Sequence, residues 1–331
     1  MKPRHPLALV TLFGFVALSA CATGSDPEVG AHDGGPGGLQ VGDTQPGPGG
    51  GTTLIYAHSD SELYSMDPAT RTVTDIGPFA GNSGPITDLA IDAAGHLWVN
   101  STSEVYKAVL PTGTGGAVQL TLKTTLPTGS KFYALGFVPA GVLEGGEALI
   151  AGDGNGDLYF IDTTGPSATP LRLGSFGPWR SGDPSPGQSG DFWALSGDVV
   201  FYMSGSTPLG LATLRDCYQK SGSATCSNAN DVLAEIDMSA LATAYKTKTA
   251  AASLRKRILG GGTQHGRLFG IGAWGANVYA FSRNDTKSGT PAKLLQIDGT
   301  GAASELQSFP AITAGWSGAG VTSAATITII Q

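Results

Sequence analysis

Asp157-Leu158-Tyr159-Phe160-Ile161-Asp162 is a short alternating phrase that keeps returning along the chain. Near the start it reads Glu62-Leu63-Tyr64-Ser65-Met66-Asp67. Weaker copies stand at Glu104–Val109, Val232–Asp237 and Lys293–Asp298. Apolar and polar residues alternate in it, the period of a half-buried strand. Turn residues follow, as in Pro68-Ala69-Thr70, Thr163-Thr164-Gly165 and Gly299-Thr300-Gly301, and these mark hairpins. Five copies of one phrase signal a repeat architecture.

Working outward, each copy has company. A strand rich in small residues comes first: Thr87–Ala90, Tyr133–Gly136, Trp193–Ser196, Phe269–Gly272 and a degenerate copy near Val321. An apolar strand follows: His96–Val99, Ala148–Ala151, Val199–Tyr202, Asn277–Ala280 and Thr326–Ile329. After the quoted phrase comes a closing strand: Thr72–Ile76, Val118–Leu122, Thr169–Leu173, Arg255–Leu259 and Ser304–Ser308. From residue 53 to residue 331 the pattern reads as β throughout. Four strands, repeated, with small side chains on the first, are what a β-propeller needs at its crowded axis. The spacing averages about 58 residues per unit, against roughly 40–50 in compact propellers. Insertions at Pro139–Gly146 and Arg215–Asn230 account for the excess. The expectation is an all-β propeller of four-stranded blades, five in number, with six as the alternative. The N-terminal unit lacks a first strand and the C-terminal residues supply one, so the two ends are expected to pair and close the ring.

The stretch Ile86 to Val99, ITDLAIDAAGHLWV, carries a resemblance to NHL-repeat and gluconolactonase-like propellers. The likeness is architectural and spans most of 53–331. It implies an inner strand rich in alanine and a hairpin ending in aspartate. It also opens a second functional class, a lactonase or lyase with its active site at the axis.

Composition narrows the field. The chain has 331 residues, 40% hydrophobic, enough for one large β domain, and 50 glycines suit tight turns rather than helix bundles. Charged residues are only 14% and the net charge is −7. No basic surface is available to cover a phosphate backbone, so nucleic acid is excluded as an expected partner.

Residues 1–20 read as an export signal: Lys2 and Arg4, then an apolar run from Leu7 to Leu18, too short to span a membrane. The run ends in Leu18-Ser19-Ala20-Cys21, which resembles the lipobox of bacterial lipoproteins. The resemblance implies cleavage before Cys21 and acylation of that cysteine. Ala22 in place of aspartate implies the outer membrane, with the chain facing the periplasm or the cell surface. Acyl chains contribute about 0.8 kcal/mol per buried CH₂, and several together anchor stably. The alternative is an ordinary secretory signal with an incidental cysteine. Residues 21–52 follow as the acylated cysteine and a Gly/Pro-rich tether that cannot bury enough apolar surface to order itself, with a reach of about 30 Å. The third segment, 53–331, is the propeller.

Cys217 and Cys226 share one insertion, and in an oxidising compartment such a pair forms a disulfide, with free thiols as the alternative. Asp153-Gly154-Asn155-Gly156-Asp157 imitates a calcium loop but has Leu158 and Thr164 where Gly and Glu are required, so it reads as a hairpin turn. Gly-x-Ser-Gly recurs at Gly81–Gly84, Gly187–Gly190 and Gly315–Gly318 and reads as an inter-blade turn, since a nucleophile elbow needs a different motif. No catalytic, metal-binding or cofactor-binding set emerges. Asp88, Trp193, His265 and Trp316 occupy comparable slots where inner strands begin, and are the candidate ligand-binding residues at the axial mouth. The expected function is a membrane-anchored, non-enzymatic module that binds a protein or glycan of the envelope.

Overall fold

The computed structural model describes residues 54–325, apart from 114, 128, 130, 185–189, 221–222, 228, 276 and 284–290. The signal at 1–20, Cys21, the tether to residue 52 and the strand at 326–330 therefore lie outside the described residues.

Antiparallel four-stranded units follow one another along the described residues, the first two joined into one eight-stranded sheet by a short parallel pairing of Phe79 and Ala80 with Val118 and Gln119. The first holds β1 (Ile55–His58), β2 (Glu62–Met66) and β3 (Val73–Ala80). The second is β4 (Asp88–Ile91), β5 (Leu97–Asn100), β6 (Glu104–Val109) and β7 (Val118–Thr125). The third is β8 (Phe132–Val138), β9 (Ala148–Asp153), β10 (Asp157–Phe160) and β11 (Leu171–Ser175). The fourth runs β12 (Phe192–Ser204), β13 (Thr207–Lys220), a side hairpin β14 (Ser223–Cys226), β15 (Val232–Ile236), the helix α1 (Met238–Thr247) and β16 (Arg255–Leu259). The fifth is β17 (Leu268–Trp274), β18 (Asn277–Ser282), β19 (Ala292–Ile297) and β20 (Ala303–Phe309). The last strand, β21 (Gly318–Gly320), returns to the first unit and pairs with β1, matching Tyr56 to Gly320 and His58 to Gly318. The N-terminal unit thus takes its inner strand from the C-terminal end, as the strand slots predicted.

The inner strands β21, β4, β8, β12 and β17 pack each on the next, and β17 packs on β21. That cycle makes the domain a propeller. Small residues are needed on these strands because the backbones nearly touch. A Cβ on Gly197 would sit 2.3 Å from Phe269 Cα, and one on Gly270 would sit 2.5 Å from Ala319 N. The apolar core fills the spaces between units. Leu63 shares a cluster with Leu89 and Tyr106, Val105 with Phe132 and Leu149, and Leu158 with Trp193 and Phe201. A fourth cluster joins the last two units to the first through Leu233, Leu294, Met66 and Trp316. Each unit buries both faces, so its strands are apolar on both sides near the axis.

Two sequence expectations need correction. Val199–Tyr202 is not a separate second strand. It continues β12, whose register shifts between Leu195 and Val199, and β13 takes the second-strand place. Ser196-Gly197-Asp198 carries a turn composition, yet here it forms a bulge in a continuous strand. Part of the presumed insertion at Arg215–Asn230 is accordingly regular sheet, since β13 pairs with β12 as far as Cys217 opposite Phe192. The chain is also not β throughout. Asp237 caps α1 by accepting from Ala240 N at 2.9 Å, Leu241 and Ala244 face the core, and Lys248 ends the helix in the left-handed region at φ 57°.

The cysteine pair forms as expected. Cys217 and Cys226 lie directly opposite in the β13–β14 ladder and are joined by a disulfide. The Asp153–Asp157 segment is the hairpin turn between β9 and β10. Gly156 N donates to Asp153 O, and Asp153 Oδ1 accepts from Asn155 N and Asp157 N, both at 3.0 Å.

Candidate functional site at the axial mouth

A cavity of about 700 Å³ opens where the inner strands begin. Every unit contributes to its wall: Asp60 and Ser317 from the first, Thr87 from the second, Tyr133 and Asp153 from the third, Ser196 and Arg215 from the fourth, Phe269 and Arg283 from the fifth.

The charges on this wall differ in how far they are already matched. Arg283 grips Asp60 with both guanidinium arms, at 2.9 and 2.8 Å, and also donates to Ser317 Oγ at 3.1 Å. Ser317 Oγ donates to Asp60 as well, and these bonds hold the Asp60 carboxyl below the usual range although burial opposes them. This cluster straddles the seam between the fifth and first units. Asp153 accepts from two backbone N–H groups and from Tyr159 Oη at 3.3 Å, while burial pushes its carboxyl up.

Arg215 is different. It stands on β13 opposite Ala194. Its Nε is buried and has no hydrogen-bond partner, and no ion pair includes it among the described residues. Burial pulls its pKa below the usual arginine value, with Asp231 acting the other way. Asp231 is fully buried, accepts from Leu268 N at 2.7 Å and from Ser196 Oγ, and its carboxyl is pushed up to about 6 by burial. Lys131 lines the same cavity, exposed and without an ion pair among the described residues.

None of the four residues expected at the mouth lines this cavity, and their positions explain why. Trp193 is 1% exposed within the core between the third and fourth units, and its Nε1 donates to Asp183 Oδ2 at 2.9 Å. Trp316 is fully buried against Tyr64, Phe281 and Phe309, edge to face. Asp88 is fully buried one residue beyond Thr87, which does line the wall. His265 lies half-buried in the loop before β17, where its backbone N donates to Thr263 Oγ1 at 3.2 Å. Alternation along a strand puts neighbours on opposite faces. The slots are therefore close, with Thr87 and Ser317 reaching the cavity and Asp88 and Trp316 turned away.

Below the wall, Asp88 and Asp198 are both fully buried and lie close enough to act on one another. Burial pushes both carboxyls well up, and for Asp88 the neighbouring Asp198 charge adds to it. Asp88 Oδ2 accepts from Leu135 N at 2.6 Å, and Asp198 Oδ2 from Ile271 N at 2.6 Å. Among the described residues no three His, Cys, Asp or Glu side chains are grouped so as to hold a metal ion.

No protein-family profile matches the chain, and no curated protein matches it. Solved structures with a similar fold include a protein of unknown function from Bacteroides caccae, 10% identical over 81% of this chain and 98% of that one, with a TM-score of 0.41. The Dos1 propeller is 13% identical over 78% of this chain and 56% of that one, with a TM-score of 0.34. The β-propeller domain of Cps50 (Swd1) from Myceliophteria thermophila is 12% identical over 77% and 82%, with a TM-score of 0.37. The ladders, the cyclic packing of inner strands and the cores between units make the described chain an all-β propeller of four-stranded antiparallel blades.

Proposed function

We propose that the chain is an outer-membrane lipoprotein, anchored through Cys21, whose five-bladed propeller is a non-enzymatic module binding a glycan or protein of the envelope at its axial mouth. The observation that carries the binding half is the cavity of about 700 Å³ with polar groups from every unit. That volume is typical of small-ligand sites, and a wall of rigid strand ends is preorganised for recognition. The anchor half draws on Leu18-Ser19-Ala20-Cys21 at the end of an apolar run. A second reading, an axial enzyme of lactonase or lyase type, draws on Asp153, a cavity-lining carboxyl that burial pushes up.

Two measurements test the proposal. Cys21→Ser is expected to leave the precursor uncut or to free the protein from carbonate-washed membranes; a variant still cut at that place and still sedimenting with membranes ends the anchor reading. For binding, the immobilised protein is expected to retain solubilised envelope glycan or protein. Tyr133→Ala, at a residue 38% exposed on the cavity wall, is expected to lose that retention several-fold with an unchanged melt. Equal retention by both proteins, or turnover of a lactone panel by the wild type, refutes the binding-only reading.

A further inference from the structure

We propose that the axial cavity is an acid-sugar site, in which Arg215 and Lys131 hold the carboxylate of a uronic-acid residue. This rests on the binding reading above and names its ligand class.

Charge matching is the first argument. The cavity wall carries two carboxylates, Asp60 and Asp153, and three cations, Lys131, Arg215 and Arg283. Asp60 is already matched by Arg283, and Asp153 by backbone N–H groups and Tyr159. Arg215 and Lys131 form no ion pair among the described residues, Asp231 acting on Arg215 only at longer range, so what remains unpaired on the wall is cationic, in a chain whose net charge is −7. A buried guanidinium nitrogen with no acceptor is costly, and natural structures satisfy such groups. The Nε itself lies inside the wall, but Arg215 lines the cavity without an ion pair, and a carboxylate entering there supplies its countercharge, since a guanidinium fork binds a carboxylate in two parallel hydrogen bonds.

The rest of the wall suits a sugar ring rather than a bare anion. Tyr133 exposes its ring to the cavity, where it lies against the Gly154 backbone: a Cβ on Gly154 would sit 3.2 Å from it. Phe269 lines the cavity too, with the Arg283 guanidinium 6.0 Å from its ring centre. Flat aromatic faces accept the apolar face of a pyranose, and the exposed Asn155 offers an amide for its hydroxyls. One uronic acid and a neighbouring sugar fit the volume.

The test is calorimetric titration of the full chain with a glucuronic-acid disaccharide, its methyl ester, and a short peptide ending in a free carboxylate. The acid sugar is expected to bind about tenfold or more tighter than the ester, and to weaken as salt rises. Arg215→Gln is expected to bring the acid down to the ester's affinity while leaving the ester unchanged. Because Arg215 is partly buried, Lys131→Gln, at an exposed residue, gives a second reading and is expected to lower acid affinity by a smaller factor. Equal binding of acid and ester overturns the charge assignment while leaving a cavity that binds sugars. A peptide carboxylate that matches the acid sugar overturns the sugar assignment. If neither sugar binds, the acid-sugar assignment falls, whereas the binding-module reading falls only if envelope retention is also insensitive to Tyr133→Ala.

Discussion

Deletion of residues 312–331 is expected to unfold the whole ring rather than trim one edge. The segment is bound to two units at once. β21 forms the inner ladder of the first unit, and Ser317 N donates to His58 O at 2.8 Å. Further on, Thr322 bridges to Ile91 in parallel, and its hydroxyl donates to Asp92 O at 2.9 Å. Trp316 is fully buried among three aromatic rings, and removing such a side chain costs about 3–5 kcal/mol by itself. The loss also bares one edge of β1 and the apolar faces of the first and fifth units. Against a total stability of about 5–15 kcal/mol, these losses together exceed what the ring holds in reserve. The truncated protein should lose its cooperative thermal transition and aggregate. A truncation that melts like the full chain would mean that the ring is not closed by its ends.

Most of that architecture is legible in the sequence, for a physical reason. Strand alternation and turn residues are local signals. The third-strand phrase at Glu62, Glu104, Asp157, Val232 and Lys293 therefore locates β2, β6, β10, β15 and β19 directly. The small residues at Gly136 and Gly270, which fall in the expected first strands, are legible too, because a crowded axis demands them. The fourth unit misleads. Ser196-Gly197-Asp198 has turn composition, and nothing local reveals that Asp198 spends its carboxylate on Ile271 of the next unit and so makes the segment a bulge. That misreading also places Arg215 in an insertion, away from the wall it lines. One signal was present: Arg215 closes the apolar run Leu209-Gly210-Leu211-Ala212-Thr213-Leu214, an odd position for a cation with only solvent to face. Asp60, Arg283 and Ser317 meet across more than two hundred residues of chain, and such a meeting is a property of ring closure, not of any window of sequence.

Replacement of Asp198 by leucine is expected to unfold the domain near neutral pH, while Asp198→Asn should fold. The Asp88–Asp198 pair touches every inner strand. Asp88 stands on β4 beside Gly318 of β21 and accepts from Leu135 on β8; Asp198 stands on β12 and accepts from Ile271 on β17. Two neighbouring carboxyls away from water cannot both ionise, so the pair holds a proton. Leucine would strand Asp88 and several backbone N–H groups, at about 1–3 kcal/mol for each unsatisfied group. Asparagine keeps one acceptor oxygen, for Ile271 N, and gives up the one that takes Val199 N, a smaller loss than leucine's. The sign of the pH dependence follows. Folded-state pKa values raised above the unfolded ones mean that the native protein holds more protons, so the pair's contribution is full at low pH and declines as pH rises from about 4 through the folded values. Other buried groups titrate nearby: Asp231, pushed up to about 6, acts in the same direction, and His58, pulled down to about 4 by burial, acts against it. Those groups remain in both proteins, so the informative quantity is the difference in melting temperature between wild type and Asp198→Asn across pH 4–8. The wild type's advantage should be greatest at the acid end and shrink steadily toward pH 8. Parallel curves would show that the pair holds no such proton, and a leucine variant that melts with the wild type would show that the pair does not hold the inner strands together.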